Sequence, residues 1–298
     1  MWLAADGNAV RRIDWSATGE APGGSILFLP GRGDFYEKYL EALAHWAQRG
    51  WAVTAADWRG QGGSGRLGAD AVTGHVGDFR VWLDDLADLW RVWTAETPPP
   101  HVLAGHSMGG HLILRAAAEG RVAPRAIVLS APMLGLPGRM PPALIHAAAR
   151  AMASLGDPRR PAWKWSEKPG EPPASRAHLL THDAARYADE LWWRQQRSEV
   201  VMGPGSWGWV AAAYASMRAL AAPGVLERVA TPTLILASTA DKLVAYRAIF
   251  DAARRLPDCE LVTFGSEAHH EILREADPVR IAALEAIDRF LERRAGRE

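Results

Sequence analysis

The chain has 298 residues, 48% of them apolar, and sets 34 Lys and Arg against 34 Asp and Glu. That is enough for one large domain with a sizeable core, and the balanced charge supplies no global field that would draw the chain to nucleic acid or to an anionic membrane. The single cysteine, Cys259, excludes an internal disulfide and fits a reducing compartment, no apolar run is long enough to span a bilayer, and the start Met-Trp-Leu-Ala-Ala-Asp-Gly lacks the pattern of a signal peptide, so a cytoplasmic location is expected.

In chain order, Ala9 to Trp15 and Ser25 to Leu29 read as strands separated by turn-forming residues 18–24. The loop Pro30-Gly-Arg-Gly-Asp-Phe-Tyr-Glu-Lys-Tyr39 follows the second strand at once. Glu37 to Arg49 reads as a helix closed by Gly50, and Trp51 to Ala56 as the next strand. It runs into Asp57-Trp-Arg-Gly-Gln-Gly-Gly-Ser-Gly65, where Gly60, Gly62 and Gly65 match the spacing of a dinucleotide fingerprint. No helix opens on those glycines, since Leu67 to Gly74 continues as loop, so the nucleotide reading is rejected. Asp57 and Arg59 are instead expected to tie the loop down by hydrogen bonds. Val76 to Thr94 gives an amphipathic helix with Phe79, Leu83, Leu86 and Trp90 near one face, and Pro98 to Pro100 stop the chain before the next strand.

His101 to Ala104 is a short apolar strand and Met108 to Glu119 a helix rich in Ala and Leu, which puts Gly105-His-Ser-Met-Gly109 at a strand-to-helix join. A serine in such an elbow sits in a strained turn that lifts its hydroxyl clear of the sheet. The helix behind it aims backbone NH groups and the positive end of its dipole at the same place. Ser107 is the candidate nucleophile. An acyl-transfer site needs paired oxyanion donors, and by position these are the backbone NH groups of Arg32, in the loop after the second strand, and of Met108.

After a strand over Ala126 to Ser130 the alternation stops. Residues 133–223 are rich in Pro, Ala, Trp and Arg and read as a helical insertion at the carboxyl ends of the strands, a cap over the serine, with 1–132 and 224–298 as the core. Six of the 14 tryptophans fall in the cap: Trp163, Trp165, Trp192, Trp193, Trp207 and Trp209. They either line an apolar acyl pocket or hold a small helical subdomain together, and both roles are expected. His178 and His182 have the spacing of two ligands on one helix face, but no carboxylate motif accompanies them, so they read as solvated histidines and no metal site is expected.

The strand signal resumes with Thr231-Pro-Thr-Leu-Ile-Leu-Ala-Ser-Thr-Ala-Asp241. Asp241 either orients a catalytic histidine or caps a helix over Val244 to Leu256; the order Ser, Asp, His favours the first. A last strand, Glu260 to Phe264, leads to His269-His270, and either histidine in that loop can reach back to the serine. Pro278 to Arg294 forms the closing helix.

With these residues in hand the chain resembles a known group. Residues 30–39, 57–65, Gly105-His-Ser-Met-Gly-Gly110, Thr-Ala-Asp-Lys-Leu-Val at 239–244, His270-Glu-Ile-Leu-Arg-Glu275 and Ser206-Trp-Gly-Trp-Val210 look like the α/β-hydrolases of the bacterial lysophospholipase and monoacylglycerol lipase group. The resemblance implies a mostly parallel central sheet flanked by helices with a helical cap, His270 as the base, and a carboxylic ester substrate with a lipid-like acyl group. One departure stands out: the group usually has His-Gly where this chain has Pro30-Gly31. The expected reaction is acyl transfer: Ser107 attacks the ester, His270 takes its proton, Asp241 holds the imidazole, and the NH groups of Arg32 and Met108 bind the oxyanion. No metal or organic cofactor is needed, and no nucleic acid or obligate protein partner is expected. The expected partner is a lysophospholipid or monoacylglycerol, met by transient contact of the cap with a membrane surface. Thioesterases, amidases, peptidases and non-catalytic binding relatives share the fold and stand as alternatives.

Overall fold

The computed structural model describes residues 1–18, 23–164 and 176–296. The chain opens with a two-stranded hairpin, β1 (Trp2–Leu3) and β2 (Ala9–Val10), and continues into β3 (Arg12–Trp15). The single strand expected over Ala9 to Trp15 is thus split at Arg11. Its NH goes to Ser64 Oγ at 2.8 Å and its guanidinium turns inward to Glu37 and Asp57, so the residue leaves the strand ladder to pair buried carboxylates. Next come β4 (Ser25–Leu29), a short 3-10 turn at Tyr36–Tyr39, α1 (Leu40–Gln48) and β5 (Ala52–Ala56). Helix α2 (Arg80–Glu96) starts four residues later than its apolar pattern begins, because Asp78 Oδ1 takes the Arg80 NH at 2.9 Å and starts the helix there. The elbow joins β6 (His101–His106) to α3 (Met108–Ala118), and β7 (Ala126–Ser130) follows.

Between β7 and the next strand lie α4 (Pro142–Ser154), α5 (Ala177–Leu180), α6 (Ala184–Gln196) and α7 (Trp207–Ala221), with α4 packed along α7. Trp165 falls outside the described residues. The chain finishes with β8 (Thr233–Ser238), α8 (Tyr246–Ala253), β9 (Cys259–Phe264) and α9 (Asp277–Ala295). No helix among the described residues is long and apolar enough to cross a membrane.

Seven strands form one sheet in the order β3-β5-β4-β6-β7-β8-β9, parallel throughout except for antiparallel β3 at the edge. The runs SILFL, AIVLS and TLILAS are buried at every residue, as strands of a parallel sheet covered on both faces must be. Trp46, Trp82 and Trp93 fill the layers beneath the flanking helices, and Trp93 Nε1 donates to Thr54 Oγ1 at 2.9 Å. The strand order reverses between β4 and β6: the chain leaves β4 for β5 on one side and leaves β6 for β7 on the other. Loops departing in opposite directions open a crevice at the carboxyl ends of the two strands, the usual place for a ligand in such a sheet. Leu29 pairs with Gly105 in register, so the loop that begins at Pro30 and the turn at Ser107 face each other across that crevice.

Candidate active site

Ser107 holds φ 52° and ψ −116°, a conformation that costs a residue with a Cβ, and α3 begins directly after it. Its own NH donates to the Ser130 carbonyl at 2.9 Å and its carbonyl accepts from His111 and Met133, so the surrounding backbone holds the strained turn. His270 Nε2 lies 3.0 Å from Ser107 Oγ, and His270 Nδ1 lies 2.7 Å from Asp241 Oδ2. The three residues, separated by up to 163 positions in the chain, meet as one hydrogen-bonded line from the carboxylate to the hydroxyl. His269, the other candidate base, points elsewhere, with its ring stacked on that of His182 at 3.8 Å.

Of the two readings of Asp241, the contact with the histidine is present and the helix cap is not, since α8 begins at Tyr246 with Ala245 at its N-cap and no side chain capping it. While Oδ2 holds the histidine, Oδ1 accepts from the Leu243 and Val244 NH groups at 2.7 and 3.0 Å. That turn delays α8 to Tyr246, two residues beyond the expected start. Burial works to raise the Asp241 carboxyl, but His270 and these two NH groups outweigh it and hold it below its ordinary value. Beside the line, the His106 ring lies 4.6 Å from that of His270. Burial, and then the neighbouring His270, push His106 down to about 4, so it stays neutral and does not oppose a positive charge on His270.

Across the crevice, the NH groups of Gly31 and Gly33 are taken by Asp34 Oδ2 at 3.1 Å and Gln61 Oε1 at 2.7 Å. The intervening NH of Arg32 and that of Met108, at the first turn of α3, have no hydrogen-bond partner among the described residues. Where the resemblance leads one to expect His-Gly, Pro30-Gly31 is braced by other means: Trp58 Nε1 donates to the Pro30 carbonyl at 2.8 Å, and Asp34 pins Gly31. A Cβ on Gly31 would come within 2.8 Å of Asp34 Oδ2 and 3.1 Å of Ser107 Cβ, and one on Gly109 within 2.3 Å of the Leu29 carbonyl oxygen. Only glycine lets the elbow and the loop approach this closely. Gly109→Ala is expected to destabilise the fold by about 1–3 kcal/mol, since its contact is with rigid backbone, which urea unfolding measures.

Beneath the loop lies a buried charge cluster that sequence patterning did not reveal. Lys38 Nζ sits 2.6 Å from Asp34 Oδ1, 2.5 Å from Glu271 Oε1 and 3.0 Å from Glu190 Oε2. Arg194 holds the other oxygen of Glu190 at 2.7 Å, and Arg274 pairs with both Glu190 and Glu271. The cluster joins the loop after β4, helix α6 and the residue next to His270. Backbone bonds reinforce the link, with the His270 and Glu271 NH groups donating to Leu179 and Leu180 at the end of α5. The only hint in the sequence was the charged tail of the loop at Glu37-Lys38 and the glutamate that follows His270. Asp34, His106 and Glu271 are close enough together to hold a metal ion, but the Lys38 ammonium already bridges the two carboxylates and supplies the positive charge an ion would bring.

Burial disfavours ionisation of Asp34 and Glu271, yet Lys38 prevails, helped by His106 at Asp34 and by Arg274 at Glu271, and holds both carboxyls at about 2. Lowered folded-state values mean that their contribution to stability is present above the unfolded carboxylate value of about 4 and is lost as the pH falls from there through about 2. Lys38→Met leaves three carboxylates buried with their shared partner gone, and a loss of about 3–5 kcal/mol in unfolding free energy at neutral pH is expected. The variant should in addition lose much of the wild type's fall in stability between those pH values. An unchanged acid-unfolding profile would sink this account.

Elements α4 to α7 roof the crevice and enclose a cavity of about 430 Å³ that reaches Ser107 and His270. Its apolar wall includes Met133, Leu136, Ile145, Trp207, Trp209 and Val244. Of the two roles expected of the tryptophans, Trp163, Trp207 and Trp209 take the first and line the cavity, while Trp192 and Trp193, neighbours on α6, pack edge to face on each other at 4.9 Å with Trp192 exposed. Ser206 Oγ caps α7 by accepting from the Trp209 NH at 3.0 Å and also meets His75 Nδ1 at 2.7 Å, so the Ser-Trp-Gly-Trp motif both starts a helix and ties it to the core. His178 and His182 do not share a helix face, because α5 ends at Leu180; His182 is exposed and bonds Glu275 Oε1 at 3.0 Å. Asp57 fastens its loop as expected, accepting from Gly63, Tyr36 and Arg11, and Arg59 does so through Asp85 and Asp6.

The family described as serine aminopeptidase, S33, matches residues 20–277. Lysophospholipase L2 of Escherichia coli strain K12 is 32% identical over 294 residues, covering 90% of this chain and 80% of that one. The probable lysophospholipase L2 of Haemophilus influenzae is 26% identical, covering 89% and 83%. Among solved structures, a soluble variant of monoglyceride lipase from Saccharomyces cerevisiae, in complex with a substrate analog, superposes with a TM-score of 0.75 at 18% identity, over 97% of this chain and 92% of that one. The monoacylglycerol lipase of Paleococcus ferrophilus gives 0.73 at 18% identity, over 95% and 99%. The fold is that of the α/β-hydrolases, and the chain belongs to the serine aminopeptidase S33 family, as a carboxylic ester hydrolase similar to lysophospholipase L2.

Proposed function

We propose that this protein hydrolyses the ester of a monoacyl lipid, a lysophospholipid or a monoacylglycerol, through Ser107, His270 and Asp241. The observation that carries the reading is the hydrogen-bonded line Asp241-His270-Ser107 ending in a largely apolar cavity. Ser107 Oγ attacks the ester carbonyl as His270 Nε2 takes its proton, and the Arg32 and Met108 NH groups receive the oxyanion. His270 then protonates the leaving glycerol oxygen. Water, deprotonated by the same nitrogen, splits the acyl-enzyme and restores the serine. The core is taken as 1–132 and 224–298 and the cap as 133–223. Met140, Leu144, Leu155 and Trp192, all exposed on that cap, give it an apolar outer surface on which to meet a lipid layer.

A panel of p-nitrophenyl esters of rising chain length, beside lysophosphatidylcholine and a monoacylglycerol, tests this. Turnover is expected with all three classes, rising with acyl length as the apolar wall fills. If none is cleaved while amide or peptide substrates are, the ester reading falls to the alternatives of this fold. If nothing is cleaved and a fluorophosphonate leaves Ser107 unlabelled, the protein is a binding relative.

A further inference from the structure

Arg32 brings to the cavity a side chain as well as a backbone NH. Its guanidinium lies 5.0 Å from the Trp209 ring and 5.2 Å from the Trp163 ring, at the wall that Ser107 also lines. Nη2 donates to the Gly203 carbonyl at 2.8 Å, but Nε is buried with no partner. The cavity's three carboxylates, Asp34, Glu190 and Glu271, are all engaged by Lys38, with Arg194 and Arg274 taking further oxygens. None is left to pair with Arg32, and among the described residues it has no ion-pair partner. Burial, with Arg176 adding to it and the more distant Asp34 carboxylate opposing it only in part, pulls its pKa down to about 9. A guanidinium this far withdrawn from water is ordinarily paired; here its charge and its buried Nε, unbonded among the described residues, stand beside the place where the substrate would lie.

We propose that the Arg32 side chain is an anion subsite of the substrate cavity, and that it takes the phosphate of a lysophospholipid headgroup. The proposal rests on the lipid-ester reading above and goes further by choosing between its two substrates. The planar fork of an arginine matches phosphate oxygens, and the two aromatic rings hold that plane in place. The guanidinium and Ser107 line one cavity, so a single ligand can meet both. A monoacylglycerol offers no anion and leaves the guanidinium buried and unpaired, which costs affinity.

Binding of uncleavable ether lipids by calorimetry separates this proposal from the catalytic one. The probes are an alkyl ether analogue of lysophosphatidylglycerol and the 1-O-alkylglycerol of the same chain length. Wild type is expected to bind the phosphate-bearing ether about 10- to 100-fold more tightly, and inorganic phosphate to displace that ether but not the neutral one. Arg32→Met should bring the two affinities to within about twofold of each other, while Arg32→Lys, which keeps charge but not the fork, retains part of the preference. Equal binding of the two ethers by wild type overturns the proposal without any variant, and so does a preference that persists in a folded Arg32→Met protein. Displacement of both ethers by inorganic phosphate also overturns it, since the anion would then lie outside the headgroup position. Failure of the ester reading looks different: wild type would cleave neither ester, whatever its affinity for the ethers.

Discussion

Ser107→Ala is expected to lower kcat on every ester by about 10⁴-fold or more, with substrate affinity retained. The residual rate would come from the oxyanion donors and binding, which the substitution leaves in place. Loss of the hydroxyl should leave the fold intact, because what holds the turn is backbone: the Ser107 NH on the Ser130 carbonyl, and the Ser107 carbonyl on the His111 and Met133 NH groups. A companion, Ser107→Gly, sharpens the test. At φ 52° and ψ −116° a glycine relieves strain, so this variant should be as inactive as the alanine and more stable than wild type by about 1–3 kcal/mol. Single-turnover hydrolysis and urea melts measure both. Substantial activity in the alanine variant would remove Ser107 from the mechanism. A glycine variant less stable than wild type would show that the turn stores no strain.

Asp241→Asn is expected to cost about 10⁴-fold in kcat, for a reason specific to this site. Oδ1 is pinned by two donors, the NH groups of Leu243 and Val244. Asparagine must keep its carbonyl oxygen there, since an amide NH₂ cannot accept. Its nitrogen is then turned to His270 Nδ1, which has to accept and is left without a proton. The proton moves to Nε2, the atom that faces Ser107 Oγ at 3.0 Å, and a histidine in that tautomer cannot take the serine's proton. The fold should survive, because the side chain keeps its shape and its two backbone partners. The pH dependence of kcat, together with nitrogen-15 spectra of the His270 ring, checks the tautomer. Should the ring of the variant still carry its proton on Nδ1, the argument fails even if activity is low.

Much of the fold follows from patterns that are local in the chain. Continuous apolar runs of four to six residues, such as those at Ser25, Ala126 and Thr233, predict strands buried on both faces, and all three of these are buried at every residue. The elbow was legible for the same reason: its strand, its glycines and its helix are neighbours in sequence. Element ends were less so. Arg11 leaves its strand for a partner, Ser64, that only folding brings near, while Asp78 and Asp241 each accept from an NH two residues ahead in a turn just before a helix, a detail the apolar pattern does not register. The four-residue spacing of His178 and His182 likewise puts them on no common face, since α5 ends at Leu180.

By itself, the sequence determined the class of fold, the order of the core strands and helices along the chain, and Ser107 and Asp241 as members of the hydrogen-bonded line, because these rest on short-range periodicity and on chain order. The choice of His270 over His269 rests on the family resemblance, and the structure separates them by direction, one facing Ser107 Oγ and the other the His182 ring. The tertiary structure alone decided what lies around that line. Lys38, Glu190 and Glu271 come from a loop, a helix of the insertion and the final loop, yet meet within 3.0 Å. Arg32 lies against Trp163 and Trp209, with no ion pair to a carboxylate among the described residues. Charges carry no periodicity that tells which will be buried together. Their pairing is set by the low-dielectric space in which distant segments pack, where an ion must find a partner or wait for one.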